Sequence, residues 1–78
     1  MTPTAAEIQS MLIELIAGAT ETEPDRWRDI VGEVETRPIA FAVSGNWKVH
    51  PKGKKADREI VEKAAALLRE QHRYAVHG

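Results

Sequence analysis

The segment from Arg37 to Arg58, RPIAFAVSGNWKVHPKGKKADR, places the strongest constraint on the fold, because its apolar pattern differs from that of both flanks. Within it, apolar residues alternate with small or polar ones, which is typical of β-strands. On either side, apolar residues recur at the spacing of an amphipathic helix. The pattern therefore predicts helices packed around a short sheet.

The first helix is predicted over residues 5–17. Thr4 and Glu7 have the spacing of a capping box, in which hydroxyl and carboxylate each accept from the other residue's backbone N–H. Gly18 is expected to end this helix, since glycine adopts the left-handed conformation at little cost. The apolar residues that share one predicted face are Ile8, Met11, Leu12, Leu15 and Ile16.

Two further helices are predicted. A short one runs from about 23 to 31, with Thr22 as a candidate cap, Trp27 as a core anchor and Gly32 as its end. A longer one covers residues 58–73, with Asp57 as its N-cap. The predicted apolar stripe of this helix comprises Ile60, Val61, Ala64, Ala65, Leu67, Leu68 and the ring of His72. Tyr74 is expected to make the last apolar contact, and residues 76–78 are expected to fray.

Two strand pairings fit the alternating segment. The first uses a three-residue loop, 44–46, and pairs Val43 with Trp47 and Phe41 with Val49 on one apolar face. The second pairs residues 33–37 with 46–50 and makes 39–45 an irregular crossing. We favour the first. Either way the prediction is a small single α+β domain over 1–78 in the order α-α-β-β-α, with an antiparallel β-hairpin or small sheet packed against helices.

Charge is divided unevenly along the 78 residues, although the net charge is only −1. Residues 1–36 hold eight acidic and two basic residues, net −6, whereas residues 37–78 hold four acidic and nine basic residues, net +5. Such a division suits head-to-tail self-association or a basic face for an anionic partner. The sequence contains no cysteine and fits neither the pattern of a signal peptide nor that of a membrane span, so we expect a cytoplasmic protein without a membrane partner.

A basic cluster precedes the third predicted helix. A positive loop over free helix N–H groups suits a phosphate or a nucleic-acid backbone. The alternative, which we favour, is a solvated loop that keeps a sheet edge from pairing. The residues of the cluster, which follows Trp47, are Lys48, His50, Lys52, Lys54, Lys55 and Arg58.

Catalysis and metal binding find little support in the sequence. No serine or threonine lies in a recognisable nucleophile motif, and the three histidines are too scattered for a metal site. Glu33 and Glu35 are explained by a solvent-facing strand edge. We therefore predict no catalytic, cofactor-binding or metal-binding residue.

Three patterns in the chain resemble small uncharacterised proteins of alphaproteobacteria. They are Trp27 with Val31-Gly-Glu-Val34, then Asn46-Trp-Lys-Val49 with Pro51, then Asp57-Arg58 with Ala64, Leu68-Arg69 and His72-Arg-Tyr74. The resemblance covers residues 8–74. Because that family has no established activity, the resemblance implies no site residues. The function we expect is a non-catalytic protein-interaction module, with a homodimer through a sheet edge or a leftover helix face as one form. The alternative is nucleic-acid or polyanion binding through the basic loop 48–58.

Overall fold

The computed structural model describes residues 2–38, 40 and 45–76. The predicted α+β fold class and the order α-α-β-β-α are confirmed. The elements are α1 (Ala5–Thr20), α2 (Pro24–Val31), β1 (Glu35–Thr36), β2 (Trp47–Lys48) and α3 (Lys55–Gln71). β1 and β2 pair in antiparallel orientation. Within the described ranges, no helix is both long and apolar enough to cross a membrane.

The strand pairing follows the second alternative. Glu35 lies opposite Lys48 and Thr36 opposite Trp47, and the Arg37 N–H continues this register by donating to the Asn46 carbonyl at 2.7 Å. Segment 33–37 therefore supplies the partner strand of β2. The favoured pairing rests on Phe41 and Val43, which lie outside the described residues.

α1 begins as predicted and ends later. The Thr4 hydroxyl accepts from the Glu7 N–H at 3.1 Å, and the Glu7 carboxylate accepts from the Thr4 N–H at 3.0 Å, so the capping box is confirmed. The prediction that Gly18 ends the helix is wrong. The helix continues to Thr20 because Glu21 takes the left-handed terminal conformation instead, with φ of 54°.

The buried face of α1 is turned relative to the predicted stripe. Met11 is only partly buried and Leu15 is 42% exposed, whereas Ile13 and Ala17 are buried. The Gln9 side chain donates to the Gly32 carbonyl at 2.6 Å. Because Ile13 lies one helical turn after Gln9, the side of α1 that carries both residues faces the end of α2. The fully or nearly fully buried residues of α1 are Ile8, Leu12, Ile13, Ile16 and Ala17.

α2 occupies the predicted range, but Thr22 does not cap it. The N-cap is Glu23, and among the described side chains none makes a capping hydrogen bond there. Thr22 instead accepts a 2.7 Å hydrogen bond from the indole N–H of Trp27. Trp27 is fully buried, as predicted for a core anchor, and Gly32 ends the helix with φ of 65°. The indole therefore links the α1–α2 turn to the core.

α3 begins and ends earlier than predicted, since it runs from Lys55 to Gln71 and not over 58–73. Its N-cap is Lys54, and in the part of the chain that is described no side chain caps this terminus. Asp57, the predicted N-cap, lies inside the first turn and pairs with Arg26 of α2 at 3.3 Å. The loop before α3 is tied to α2 by the Lys52 N–H, which donates to the Ile30 carbonyl at 2.9 Å. The first helical residue is therefore Lys55, after a loop that is held by this long-range hydrogen bond.

The predicted apolar stripe of α3 is only partly buried. Val61, Ala64, Ala65 and Leu68 lie in the core, and Ile60 packs against it. His72 is partly buried. Leu67 is 61% exposed, so its predicted place in the core is wrong. The stripe is wider than the surface that α1, α2 and the sheet cover.

Trp47 lies in the core, as predicted. It is 2% exposed, and its indole N–H donates to the His72 carbonyl at 2.7 Å. Val49, on the same strand face, is also buried. The arginine Arg69 lies over the Trp47 ring, with its guanidinium carbon 4.6 Å from the ring centroid. Trp47 thus joins β2 to α3 and to the chain that follows α3.

The segment after α3 packs against β2 and the start of α1. The Asn46 side chain donates to the Ala75 carbonyl at 2.7 Å and accepts from the Ala75 N–H at 2.7 Å. The Val76 N–H donates to the Pro3 carbonyl at 2.9 Å, and the Val76 carbonyl accepts from Ala5 at 3.0 Å. The predicted fraying of residue 76 is therefore wrong, since backbone bonds to the N-terminal segment hold it. Tyr74 is partly buried, and His77 and Gly78 lie outside the described residues.

Candidate functional site

The strand pairing positions two of the six predicted anion-binding residues, Lys48 and His50, beside acidic Glu35. Glu35 lies opposite Lys48 across the sheet. Its carboxylate is 3.1 Å from His50 Nε2 and 3.6 Å from Arg37 Nε. The hydrogen bond with His50, together with the nearby charges of His50 and Arg37, lowers the pKa of Glu35. The carboxylate therefore offsets part of the positive charge at this end of the basic cluster.

The loop before α3 presents its lysines to solvent. Lys52, Lys54 and Lys55 are exposed. Gly53, between the first two, has φ of 95°, a conformation that favours glycine. Lys54 occupies the N-cap position, where it contributes no acceptor to the first N–H groups of α3. Cations at this end of a helix interact unfavourably with its dipole. The lysines thus surround a helix terminus that attracts negative charge.

Three predicted site residues, His50, Lys55 and Arg58, line one cleft. It has a volume of about 520 Å³ and lies between the end of β2 and the first turns of α3. Val49 and Pro51 form part of its wall, and Glu59 and Glu62 bring two carboxylates into it. Lys52 and Lys54 do not line this cleft. The structure therefore brings half of the predicted cluster together, in a mixed-charge setting.

A second cleft of about 380 Å³ lies between β2 and α3. Its lining comprises residues 45–49, which include Lys48, together with Arg37, Arg69 and Glu62. Arg69 is held by stacking on Trp47 and by a 3.4 Å hydrogen bond from Nη2 to the Trp47 carbonyl. Sequence reasoning missed Arg37 and Arg69 as site residues. No local signal relates Arg69 to Trp47, because the two are far apart in sequence.

Large apolar side chains remain exposed on both α1 and α3. Leu15 of α1 and Leu67 of α3 are 42% and 61% exposed. A shallow depression of about 340 Å³ on α1 is lined by partly buried Met11 together with Glu7, Glu14 and two small residues. These residues belong to the stripes of two helices that pack against each other. We call Met11, Leu15 and Leu67 the apolar edge.

Residue types suited to metal binding do not converge in the part of the chain that is described. No group of three or more His, Asp or Glu side chains there is arranged to hold a metal ion. Glu33 and Glu35 are both exposed, as expected of a solvated strand edge.

Comparisons with protein-family models, curated proteins and solved structures gave no match for this chain. The resemblance to small alphaproteobacterial proteins stays a prediction.

Proposed function

We propose that this chain is a non-catalytic protein-interaction module whose first partner is a second copy of itself. The observation that carries the proposal is the apolar edge, where Leu15 and Leu67 remain 42% and 61% exposed. Both belong to stripes whose other apolar members lie in the core or pack against it. Burying a fully exposed leucine side chain contributes about 1.5–3 kcal/mol, so covering these two partly exposed leucines would contribute part of that free energy to an assembly. A chain of this size gains from such cover, because its own core is small.

Charge complementarity favours a second copy as the occupant. Exposed Glu14 lies beside Leu15 on acidic α1, and exposed Lys63 lies one helical turn before Leu67 on α3. Packing α1 of one copy on α3 of the other would bury both leucines, and the orientation that sets Glu14 beside Lys63 and away from exposed Glu70 would pair opposite charges. A two-fold axis repeats the contact with the helices exchanged, which closes the assembly as a dimer.

Sedimentation equilibrium tests this proposal. We expect the apparent mass of the protein to rise with concentration in the micromolar range. Leu67→Gln should shift the equilibrium towards monomer, while Arg28→Gln, at an exposed position of α2, serves as a control that should not. Circular dichroism verifies that each variant is folded. A constant monomer mass for the unmodified protein across this range would contradict the homodimer.

A second candidate function is nucleic-acid or polyanion binding through Lys48, His50, Lys52, Lys54, Lys55 and Arg58. The cleft that joins His50, Lys55 and Arg58 beside the start of α3 favours it. Binding of this kind weakens steeply with salt, since each neutralised phosphate releases a counterion. Amide chemical shifts of residues 46–58 should move when a mixed oligonucleotide is added at low salt. Unchanged shifts would contradict this function.

We also propose a cytoplasmic location, which a sequence without cysteine supports.

A further inference from the structure

The cleft between β2 and α3, which we call the groove, is lined by residues 45–49 and so includes both residues of β2. Among the described residues the sheet has two strands, so β1 covers one edge of β2 and leaves the other beside the groove. Backbone groups of successive residues in an antiparallel strand point to opposite edges. Since Asn46 bonds to Arg37 on the β1 side, the Trp47 carbonyl points into the groove, where it accepts from Arg69 at 3.4 Å.

The hydrogen bond from Arg69 to the Trp47 carbonyl is long, so a closer N–H donor can replace Arg69 there. At 3.4 Å it exceeds the usual range for an N–H···O bond. The Arg69 guanidinium would keep its position over the Trp47 ring, 4.6 Å from the centroid, without it. Arginine carries five N–H donors, so displacement from one carbonyl frees a donor for a ligand. The strand edge and Arg69 can thus bind one extended ligand together.

The charge of the groove selects the ligand. Arg37, Lys48 and Arg69 line the groove together with one acidic residue, Glu62. The pairing of Arg37 with Glu35 is loose, at 3.6 Å between two half-exposed side chains. Exposed ion pairs of this kind contribute little to stability, so Arg37 can leave Glu35 to bind a ligand. Cations along a strand edge match carboxylates on alternate residues of an added strand, which share one face.

We propose that this groove binds an extended acidic peptide segment as an added strand along β2. The inference rests on the proposed function, protein interaction, and names the chemistry of a partner other than the second copy. A peptide fits better than single-stranded nucleic acid, because bases need an exposed ring for stacking and Trp47 is 2% exposed. The peptide backbone bonds to the strand edge and to Arg69, and its carboxylates contact Arg37 and Lys48.

Fluorescence anisotropy with a labelled peptide of alternating glutamate and valine tests the proposal. A lysine–valine peptide of equal length controls for charge, and the acidic peptide with alternate backbone nitrogens methylated controls for strand addition. We expect the unmodified acidic peptide alone to bind. Arg37→Gln and Lys48→Gln, both on exposed side chains, should each weaken binding about threefold, whereas Arg28→Gln on α2 should not.

Three results would overturn the inference: equal binding of the lysine peptide, undiminished binding of the methylated peptide, or tighter binding of a single-stranded oligonucleotide. Sedimentation in the same buffer separates the two proposals. Self-association without peptide binding overturns the inference and leaves the proposed function standing. A strict monomer that binds the acidic peptide overturns the homodimer and supports the inference.

Discussion

At the scale of single residues, one buried amide joins three distant parts of the chain. The Asn46 side chain is 3% exposed and donates to the carbonyls of Arg37 and Ala75, while it accepts from the Ala75 N–H. It binds Ala75 as a neighbouring strand would, through one donor and one acceptor. The amide thereby holds the C-terminal segment against the sheet.

Asn46→Ala should lower the free energy of unfolding by about 3 kcal/mol, because it leaves the buried N–H and C=O of Ala75 unsatisfied. Urea denaturation measures the loss. Gln71→Ala, at the exposed end of α3, is the matched control and should change stability little. A loss for Asn46→Ala no larger than the control's would show that the amide does not stabilise the fold.

Glu35 is expected to contribute a pH-dependent increment of stability. Hydrogen bonding with His50 places its pKa in the folded protein below the ordinary value of 4.5. A lowered carboxyl pKa means that the increment is present above pH 4.5 and is lost as the pH falls through the folded-state pKa. Stability curves of the protein and of Glu35→Gln should therefore converge below pH 4.5. Thermal melts across this range measure the effect, and curves that stay parallel would refute it.

At the scale of elements, the end of α1 distinguishes the observed helix from the predicted one. Gly18 lies inside α1, and among the described atoms a Cβ added there would meet none within 4 Å. Gly18→Ala should therefore stabilise the protein by about 0.5–1 kcal/mol. Gly45→Ala is the contrasting variant, since φ is 141° and the new Cβ would lie 2.8 Å from the Arg73 carbonyl oxygen. Denaturation curves should move in opposite directions, and a destabilising Gly18→Ala would restore the predicted helix end.

The helices could be predicted from the sequence, but their limits and faces could not. The Thr4–Glu7 capping box is local, so spacing alone identified it. The loop before α3 is held by the bond from Lys52 to Ile30, and Asp57 is drawn into a pair with Arg26. Ile30 is far from Lys52 in sequence, and Arg26 is far from Asp57. The stripes likewise showed which residues are apolar, but only packing decides that Leu67 is left exposed.

At the scale of the whole molecule, the sheet shows why strand pairing was ambiguous. Trp47 and Val49 share a face in both pairings, because they lie two positions apart on a strand. Face matching therefore could not exclude the partner segment 33–37. That pairing is selected by contacts that no local pattern encodes, among them Asn46 to Ala75 and Trp47 to His72.

The candidate surfaces were predictable to different degrees. The basic cluster is visible in the sequence, yet the fold separates Lys48 from His50, Lys55 and Arg58 into two clefts. The apolar edge was not visible, since Leu15 and Leu67 were expected in the core. It arises because the apolar stripes of α1 and α3 are wider than the area that the rest of the fold covers.

The central claim, self-association through the apolar edge, is tested most directly by a dilution series of amide spectra with diffusion measurements. From millimolar to micromolar protein, we predict that shifts change around Leu15 and Leu67, that shifts around Arg28 stay constant, and that diffusion becomes faster. Leu67→Gln should show the fast diffusion at every concentration. Constant shifts and constant diffusion of the unmodified protein over the whole series would contradict the claim.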